Sequence, residues 1–181
     1  MQTGVTLWFT GLSGSGKTTL SRCVEQQLKR MGVATETLDG DILRDQIFRG
    51  LGFSKEDRSL NIRTAAYLAQ LLTRHGVIVL ASFISPYRDM REQCRQRIGP
   101  FLEVYVKCSW EECARRDTKG LYRKALSGEI KHFTGLTDPY EEPLHPELIV
   151  DTENTSEEQC TEQIIAYLTK HGYIGRADSH A

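Results

Sequence analysis

Short apolar runs alternate along the chain with segments in which apolar side chains recur every three or four residues. The first run has the length of a buried strand, and Leu20, Val24 and Leu28 then recur at helical spacing. Such alternation is typical of consecutive β-α-β units, so it predicts an α/β fold with a mostly five-stranded parallel sheet. The predicted strands are 5–10, 34–38, 77–83, 102–107 and 147–150. The predicted helices are 17–31, 41–49, 56–75, 87–97, 110–116, 121–127 and 156–171.

Several of these helices carry start or stop signals. Ser109 and Ser156 each stand three residues before a Glu or Gln, which predicts a capping box at both helices. Ser85 stands directly before Pro86, which predicts an N-cap followed by proline at the first helical position. Gly172 predicts the end of the last helix.

Composition narrows the class of protein. The chain has 181 residues, 39% of them hydrophobic, which favours one compact domain over residues 1–181 with a loose tail from about 173 to 181. A formal charge of −1 argues against nucleic-acid binding, and no apolar run is long enough to span a bilayer. The N-terminus shows no secretory signal. The five cysteines form no C-x-x-C pair, so we expect reduced thiols in a cytoplasmic enzyme.

The most specific motif lies between the first strand and the first helix. It fits the pattern G-x-x-x-x-G-K-[ST], in which backbone N–H groups curl around phosphates, the lysine reaches the outer phosphates and the hydroxyl can ligand Mg²⁺. An ordinary Gly/Ser-rich turn would explain the glycines but not Lys17 and Thr18 at this offset. The sequence therefore predicts a nucleoside triphosphate site, with ATP as the nucleotide that the family resemblance described below implies. Its residues are Gly11, Leu12, Ser13, Gly14, Ser15, Gly16, Lys17 and Thr18.

Residues of about 117–146 interrupt the strand–helix alternation. The segment is rich in Gly, Pro and charge, and it contains a short helical piece around 121–126. A stretch this long without a strand is usually functional or disordered. Movable positive charge and hinge glycines are what a lid over phosphates needs, so we expect an ordered, mobile lid here.

A phosphate loop alone does not separate switches, motors and kinases. The chain has no Asn-Lys-x-Asp guanine signature, which weakens a GTPase interpretation. Transport-type and helicase ATPases are usually built on longer domains with partner motifs that are absent here. A small chain with a lid favours a three-layer phosphate-loop kinase fold and a small-molecule acceptor.

Two acids follow the second predicted strand. Ligands of an open α/β sheet bind outside the carboxyl ends of the strands, and Asp39 and Asp41 stand at such an end. The strand 77–83 ends without the carboxylate that often helps to hold Mg²⁺. We therefore expect one of the two acids to serve the metal and one to accept the proton of the acceptor hydroxyl. The alternative makes Asp41 a plain helix N-cap.

Polar and aromatic residues near the same edge of the sheet indicate an anionic acceptor. Bidentate arginines suit phosphate and sulfate, although for Arg63 a solvated surface position remains open. Phe53 and Phe133 lie in glycine-containing loops, where they would either sandwich a planar base or pack in the core. The polar residues of this group are Arg44, Arg58, Asn61, Arg63, Ser85 and Arg88.

Taken together, these segments resemble the adenylyl-sulfate kinase (APS kinase) family over nearly the whole chain. The most specific of them is Lys119-Gly120-Leu121-Tyr122, followed by Phe133-Thr134-Gly135. The other segments that carry the resemblance are 11–18, 38–41 with Arg44, 51–58, 61–63, 82–88, 128–131 and 138–140.

The resemblance implies phosphorylation of the ribose 3′-hydroxyl of adenylyl sulfate by ATP, with Mg²⁺. By analogy Asp41 organises the metal and the acceptor hydroxyl, and Asp39 supports it. Mg²⁺ would be held by Thr18 and Asp41, partly through water. Arg116 would contact the ATP adenine. Phe53 and Phe133 would stack the adenine of adenylyl sulfate. The residues implied around its phosphosulfate and ribose are Asp41, Arg44, Arg58, Asn61, Ile84, Ser85, Lys119 and Leu121.

Several questions stay open at this point. Ser85 serves either the acceptor site or, as a minor alternative, a phosphoserine intermediate, since direct in-line transfer needs only positioning and charge neutralisation. A nucleoside monophosphate or a sugar acid is the alternative acceptor. Family members often carry an acid where Leu60 stands and an arginine where Thr64 stands, so substrate affinity can differ here. The resemblance is also compatible with a homodimer.

Overall fold

The computed structural model describes residues 3–52 and 54–175. Its centre is a parallel sheet with the strand order β2-β3-β1-β4-β5. The strands are β1 Val5–Thr10, β2 Thr35–Asp39, β3 Ile78–Ser82, β4 Phe101–Lys107 and β5 Leu148–Asp151. The helices are α1 Lys17–Arg30, α2 Gly40–Gln46, α3 Lys55–Arg74, α4 Arg88–Ile98, α5 Trp110–Arg116, α6 Leu121–Leu126 and α7 Glu157–Lys170. This α/β architecture confirms the predicted fold class and every predicted element, with boundaries that shift by no more than three residues.

Strand β1 lies in the middle of the sheet and is buried along its whole length. Because successive side chains of a strand point to opposite faces, it contributes to two cores. Leu7 and Phe9 pack in one core with α1 and α7, whereas Trp8 packs in the other with α3 and α4. Burial of each large apolar side chain contributes about 1.5–3 kcal/mol, so these two cores fix the carboxyl end of β1 in space.

A third apolar cluster joins α5, α6 and the segment after them. Cys108 and Cys113 pack there with Tyr122, Ala125 and Phe133. The ring of Phe133 meets the ring of Tyr122 edge-on, with 4.8 Å between centroids. Both cysteines are buried and form no disulfide, so they serve here as packing residues. The cluster brings part of segment 117–146 beside the phosphate-loop motif, since Leu12 packs against it as well.

The helix ends confirm some predictions and overturn others. Ser156 forms the full capping box with Gln159. At Ser109 only half of the box is present, because Glu112 pairs with Arg115 and Arg116 instead.

The prediction for Ser85 was wrong. Helix α4 begins at Arg88 with Tyr87 as its N-cap, and Ser85 adopts a left-handed backbone with φ of 40°. The predicted tail of about 173–181 includes two residues that pack in the structure. Ile174 is buried in the core, and Tyr173 packs against it. Residues 176–181 of that tail lie outside the described part of the chain.

Candidate active site

The motif between β1 and α1 has the geometry of a phosphate cradle. Gly16 is the N-cap of α1 in a left-handed conformation, and Gly11 and Gly14 also have positive φ. At Gly11 a Cβ atom would lie 2.5 Å from the carbonyl oxygen of Val106, so no larger residue fits there. The turn therefore needs glycine for both conformation and space, and the positive end of α1 faces it.

Lys17 is the buried cation of this cradle. Its side chain amine donates to the carbonyl oxygens of Gly11, at 2.9 Å, and Leu12, at 2.6 Å. Burial lowers the pKa of Lys17 from 10.5 to about 8, and the nearby Asp41 and Asp39 oppose that shift. An anion bound beside this desolvated ammonium would favour its charged form.

Asp39, the last residue of β2, connects the cradle to α2. Its Oδ2 accepts from the Thr18 hydroxyl at 2.8 Å, and its Oδ1 accepts from the backbone N–H groups of Asp41 and Ile42. Asp39 is therefore the N-cap of α2, and the alternative that made Asp41 the cap was wrong. Asp41 is left with an exposed carboxylate that pairs with Lys119.

Arg58 is the central cation of the predicted acceptor side. It lies in the first turn of α3 and is only 8% exposed. Its guanidinium donates to Thr134 Oγ1, to the carbonyl oxygen of His132 at 3.0 Å and to Asp138 at 2.9 Å. These bonds connect α3 with segment 132–138, about 75–80 residues further along the chain.

Two buried polar atoms of the candidate site have no hydrogen-bond partner within the described part of the chain. Among the described residues, neither Ser15 Oγ in the cradle nor Asn61 Oδ1 on α3 has a hydrogen-bond partner. A buried polar atom without a partner costs about 1–3 kcal/mol. Both atoms lie where the sequence predicts ligands, on the nucleotide side and the acceptor side respectively.

The other predicted acceptor residues fall into three groups. Arg44 donates to the carbonyl oxygen of Gly52 at 2.8 Å, and Lys119 pairs with Asp41. Phe133 lies in the third apolar cluster and Leu121 packs against it, so the structure shows Phe133 in the packing role that was one of its two predicted alternatives. Phe53 lies outside the described residues.

Arg116 has a partner that sequence reasoning missed. Its guanidinium donates to Glu112 at 2.8 Å and to the carbonyl oxygen of Thr152 at 2.6 Å. The Thr152 hydroxyl in turn donates to the carbonyl oxygen of Ser15 at 2.8 Å. Thr152 directly follows β5, so its position at the carboxyl edge of the sheet was the available signal.

The loop after β3 is held by buried polar groups that lie far apart along the chain, so sequence reasoning did not connect them. Trp8 Nε1 donates to Ser85 Oγ at 3.0 Å, and Thr10 Oγ1 donates to the carbonyl oxygen of Ile84 at 2.8 Å. Ser85 is 2% exposed. Its hydroxyl therefore serves this network before it is available to any ligand.

The glycine cradle with its lysine, and the acid pair beside it, are the features of a phosphate-loop kinase on a parallel α/β sheet. A family model described as adenylylsulphate kinase matches residues 3–151. An adenylyl-sulfate kinase of Picosynechococcus sp. is 55% identical over 94% of this chain and 97% of its own. The chain belongs to the adenylylsulphate kinase family, and it is an enzyme.

Two solved structures of APS kinases extend this comparison. One from Mycobacterium tuberculosis, in complex with AMPPNP and APS, has a TM-score of 0.88 and 41% identity over 93% of this chain and 99% of its own. A hexameric APS kinase from Thiobacillus denitrificans has a TM-score of 0.74 and 33% identity over 96% of this chain and 30% of its own.

Proposed function

We propose that this protein transfers the γ-phosphoryl group of ATP to the ribose 3′-hydroxyl of adenylyl sulfate, which gives ADP and 3′-phosphoadenylyl sulfate. The observation that supports this proposal is the pairing of two buried cations. Lys17 lies in the loop between β1 and α1, and Arg58 bonds to segment 132–138. Phe133 of that segment belongs to the apolar cluster against which Leu12 of the loop packs. The Mycobacterium tuberculosis relative in complex with an ATP analogue and APS supports the identity of both ligands.

On the nucleotide side, residues 11–18 would hold the ATP phosphates through backbone N–H groups, with Lys17 on the outer phosphates. Arg116 would contact the adenine, and Thr152 would fix its position relative to the cradle. The unpartnered Ser15 Oγ would gain a bond from the bound phosphates.

Mg²⁺ fits the oxygen atoms beside the cradle. The Thr18 hydroxyl and the Asp39 carboxylate lie 2.8 Å apart, and Asp41 follows two residues later. Among the described residues no group of three His, Cys, Asp or Glu side chains is placed to hold a metal alone. Mg²⁺ usually takes one or two protein oxygens and completes its shell with phosphates and water, so Thr18 and Asp41 would hold it partly through water. When bound, it would neutralise charge on the transferring group.

On the acceptor side, the groups that would surround the phosphosulfate and ribose of adenylyl sulfate are already assembled in part. Arg58 supplies a buried guanidinium charge, and Asn61 supplies an unpartnered amide oxygen. Asp41 would accept the proton of the 3′-hydroxyl as that oxygen bonds to the γ-phosphorus and the bond to the β-phosphate oxygen breaks. The remaining proposed acceptor residues are Arg44, Phe53, Ile84, Ser85, Lys119, Leu121 and Phe133.

Transfer would be direct and in line. Positioning of two substrates can supply about 7–11 kcal/mol of a barrier. We infer that residues 117–146 act as a lid that excludes water, since Lys119 pairs with Asp41 and Asp138 with Arg58 across the opening. Because Ser85 is buried and its Oγ accepts from Trp8, we assign the Ile84–Ser85 loop to the wall of the acceptor site and keep a phosphoserine only as the alternative.

Two broader properties belong to the same proposal. No helix in the part of the chain that the structure describes is long and apolar enough to cross a membrane. The five cysteines are unpaired, which supports a reducing compartment such as the cytoplasm. Assembly as a homodimer is proposed by family analogy.

The test is a coupled assay of ADP release with adenylyl sulfate, AMP and gluconate offered separately, followed by the mass of the product. We expect turnover with adenylyl sulfate and a product heavier by one phosphoryl group. Lys17→Ala is the matched inactive control, and it should lower kcat at least ~100-fold because a preorganised charge contact is lost. Preferred turnover of AMP or gluconate would replace the proposal with the alternative acceptor, and ATP binding without turnover would make this a regulatory nucleotide-binding domain.

A further inference from the structure

Arg91, on α4, is one of the most deeply buried cations of the described chain, with 3% exposure. Its guanidinium donates three hydrogen bonds of 2.6 Å each. The acceptors are Glu103 Oε1 on β4, the carbonyl oxygen of Ser85 and the carbonyl oxygen of Glu141. One side chain thus connects three segments that are distant along the chain.

One of these segments, the Ile84–Ser85 loop, adopts a backbone conformation that is not favourable by itself. Ser85 has φ of 40°, and a non-glycine residue in this region persists only where surrounding contacts hold it. The bond from Arg91 to the Ser85 carbonyl and the bond from Trp8 to the Ser85 hydroxyl are such contacts. Arg91 therefore fixes the backbone of the loop, and Trp8 its side chain.

Another of these segments, residues 140–142, is attached to the Ile84–Ser85 loop. The backbone N–H of Glu141 donates to the carbonyl oxygen of Pro86 at 2.8 Å. The Tyr140 hydroxyl lies 3.0 Å from Thr10 Oγ1, which itself donates to the Ile84 carbonyl. Arg91 Nη2 on the Glu141 carbonyl completes the attachment.

Residues 140–142 stand two residues after Asp138, which pairs with Arg58. They are thus where the segment that carries Phe133 and Asp138 returns to the sheet. Two segments would border the acceptor site: the Ile84–Ser85 loop and the segment that carries Phe133 and Asp138. Fixing the return point relative to Ser85 sets the distance between these two segments.

We propose that Arg91 is a positioning residue for the adenylyl sulfate site: it holds the Ile84–Ser85 loop and the return point of segment 117–146 in one arrangement. This inference rests on the proposed function. Arg91 touches the acceptor-side loop but not the phosphate cradle, so its effect falls on one substrate. The role requires a planar fork with several directed donors, which lysine cannot replace although it keeps the charge opposite Glu103.

The experiment compares Arg91→Lys with Arg95→Met. Arg95 lies on the same helix and bonds to Glu147 at 2.6 and 2.8 Å, near the same Glu103. Within the described residues it makes no hydrogen bond or ion pair to segment 84–86 or segment 140–142. Each variant is measured for KM of adenylyl sulfate, KM of ATP, kcat and Tm. Arg91→Lys should raise the KM of adenylyl sulfate at least tenfold with the KM of ATP within twofold. Arg95→Met should lower Tm with both KM values within twofold of wild type.

Unchanged KM for adenylyl sulfate in Arg91→Lys, or an equal rise in both KM values, would overturn the inference. If Arg91→Lys does not fold, Tyr140→Phe decides, because it removes the bond to Thr10 and keeps the ring. It should raise the KM of adenylyl sulfate about threefold with Tm within a few degrees, and no rise refutes the proposal. A wild-type protein that does not phosphorylate adenylyl sulfate refutes the proposed function itself, and the inference with it.

Discussion

The buried ammonium of Lys17 should make the stability of the protein depend on pH in a predictable direction. Its pKa falls from 10.5 to about 8 on folding because the side chain is desolvated. Between these two values the unfolded chain binds a proton that the folded chain has released. Stability therefore rises with pH in this window, and the cost of the buried charge is present in full below pH 8.

The magnitude follows from the size of the shift. One pKa unit corresponds to about 1.4 kcal/mol, so the shift amounts to about 3 kcal/mol, of which about 2–3 kcal/mol should appear between pH 7 and pH 10. The assay is urea unfolding of wild type and Lys17→Met at several pH values. The difference in unfolding free energy between them isolates Lys17, because the other titrating groups are shared.

Lys29→Met is the matched control, since this lysine lies on the same helix with its side chain 59% exposed and paired with Glu25. Its difference curve should lack the rise seen for Lys17. If the difference in unfolding free energy between wild type and Lys17→Met did not change with pH, the idea that the cradle holds a desolvated charge would be refuted.

The same reasoning extends to the ligand. Phosphates beside Lys17 favour its charged form and raise its pKa, so ATP binding near pH 9 should take up close to one proton. Calorimetry in two buffers of different ionisation enthalpy measures that uptake. Lys17→Met should lose it, and uptake that is equal in wild type and variant would contradict the assignment.

Three further substitutions test the acceptor side. Asp41→Asn should lower kcat with little change in the binding of adenylyl sulfate, and a variant with normal kcat would remove Asp41 from the reaction. Ser85→Ala should cost about 1–3 kcal/mol of stability in a urea titration, because Trp8 Nε1 loses its buried acceptor, yet it should retain turnover if transfer is direct. Complete inactivity of that variant with unaltered substrate binding would favour a phosphoserine. Phe133→Ala should weaken adenylyl sulfate binding by about 1–3 kcal/mol if a base stacks on the ring, and unchanged affinity in calorimetry would leave Phe133 as a packing residue.

The element order and the phosphate cradle were predictable because both are encoded locally. Periodicity sets strand and helix within a few residues, and the glycines of the cradle stand at fixed offsets from Lys17. The errors were also local. Ser85 and Pro86 have the residue types of a helix start, but the loop after β3 is held by Trp8 and Arg91, which overrides that preference.

The amino-acid sequence by itself thus determined the sheet, the cradle and the resemblance to a kinase family, since each depends on neighbours within a few residues of one another. Only the tertiary structure decided which groups meet across 70 residues or more. It placed Asp138 on Arg58, 80 residues away along the chain, and Ser85 Oγ beside Trp8 Nε1, 77 residues away. Such contacts depend on how two cores pack against one sheet, which no local spacing records.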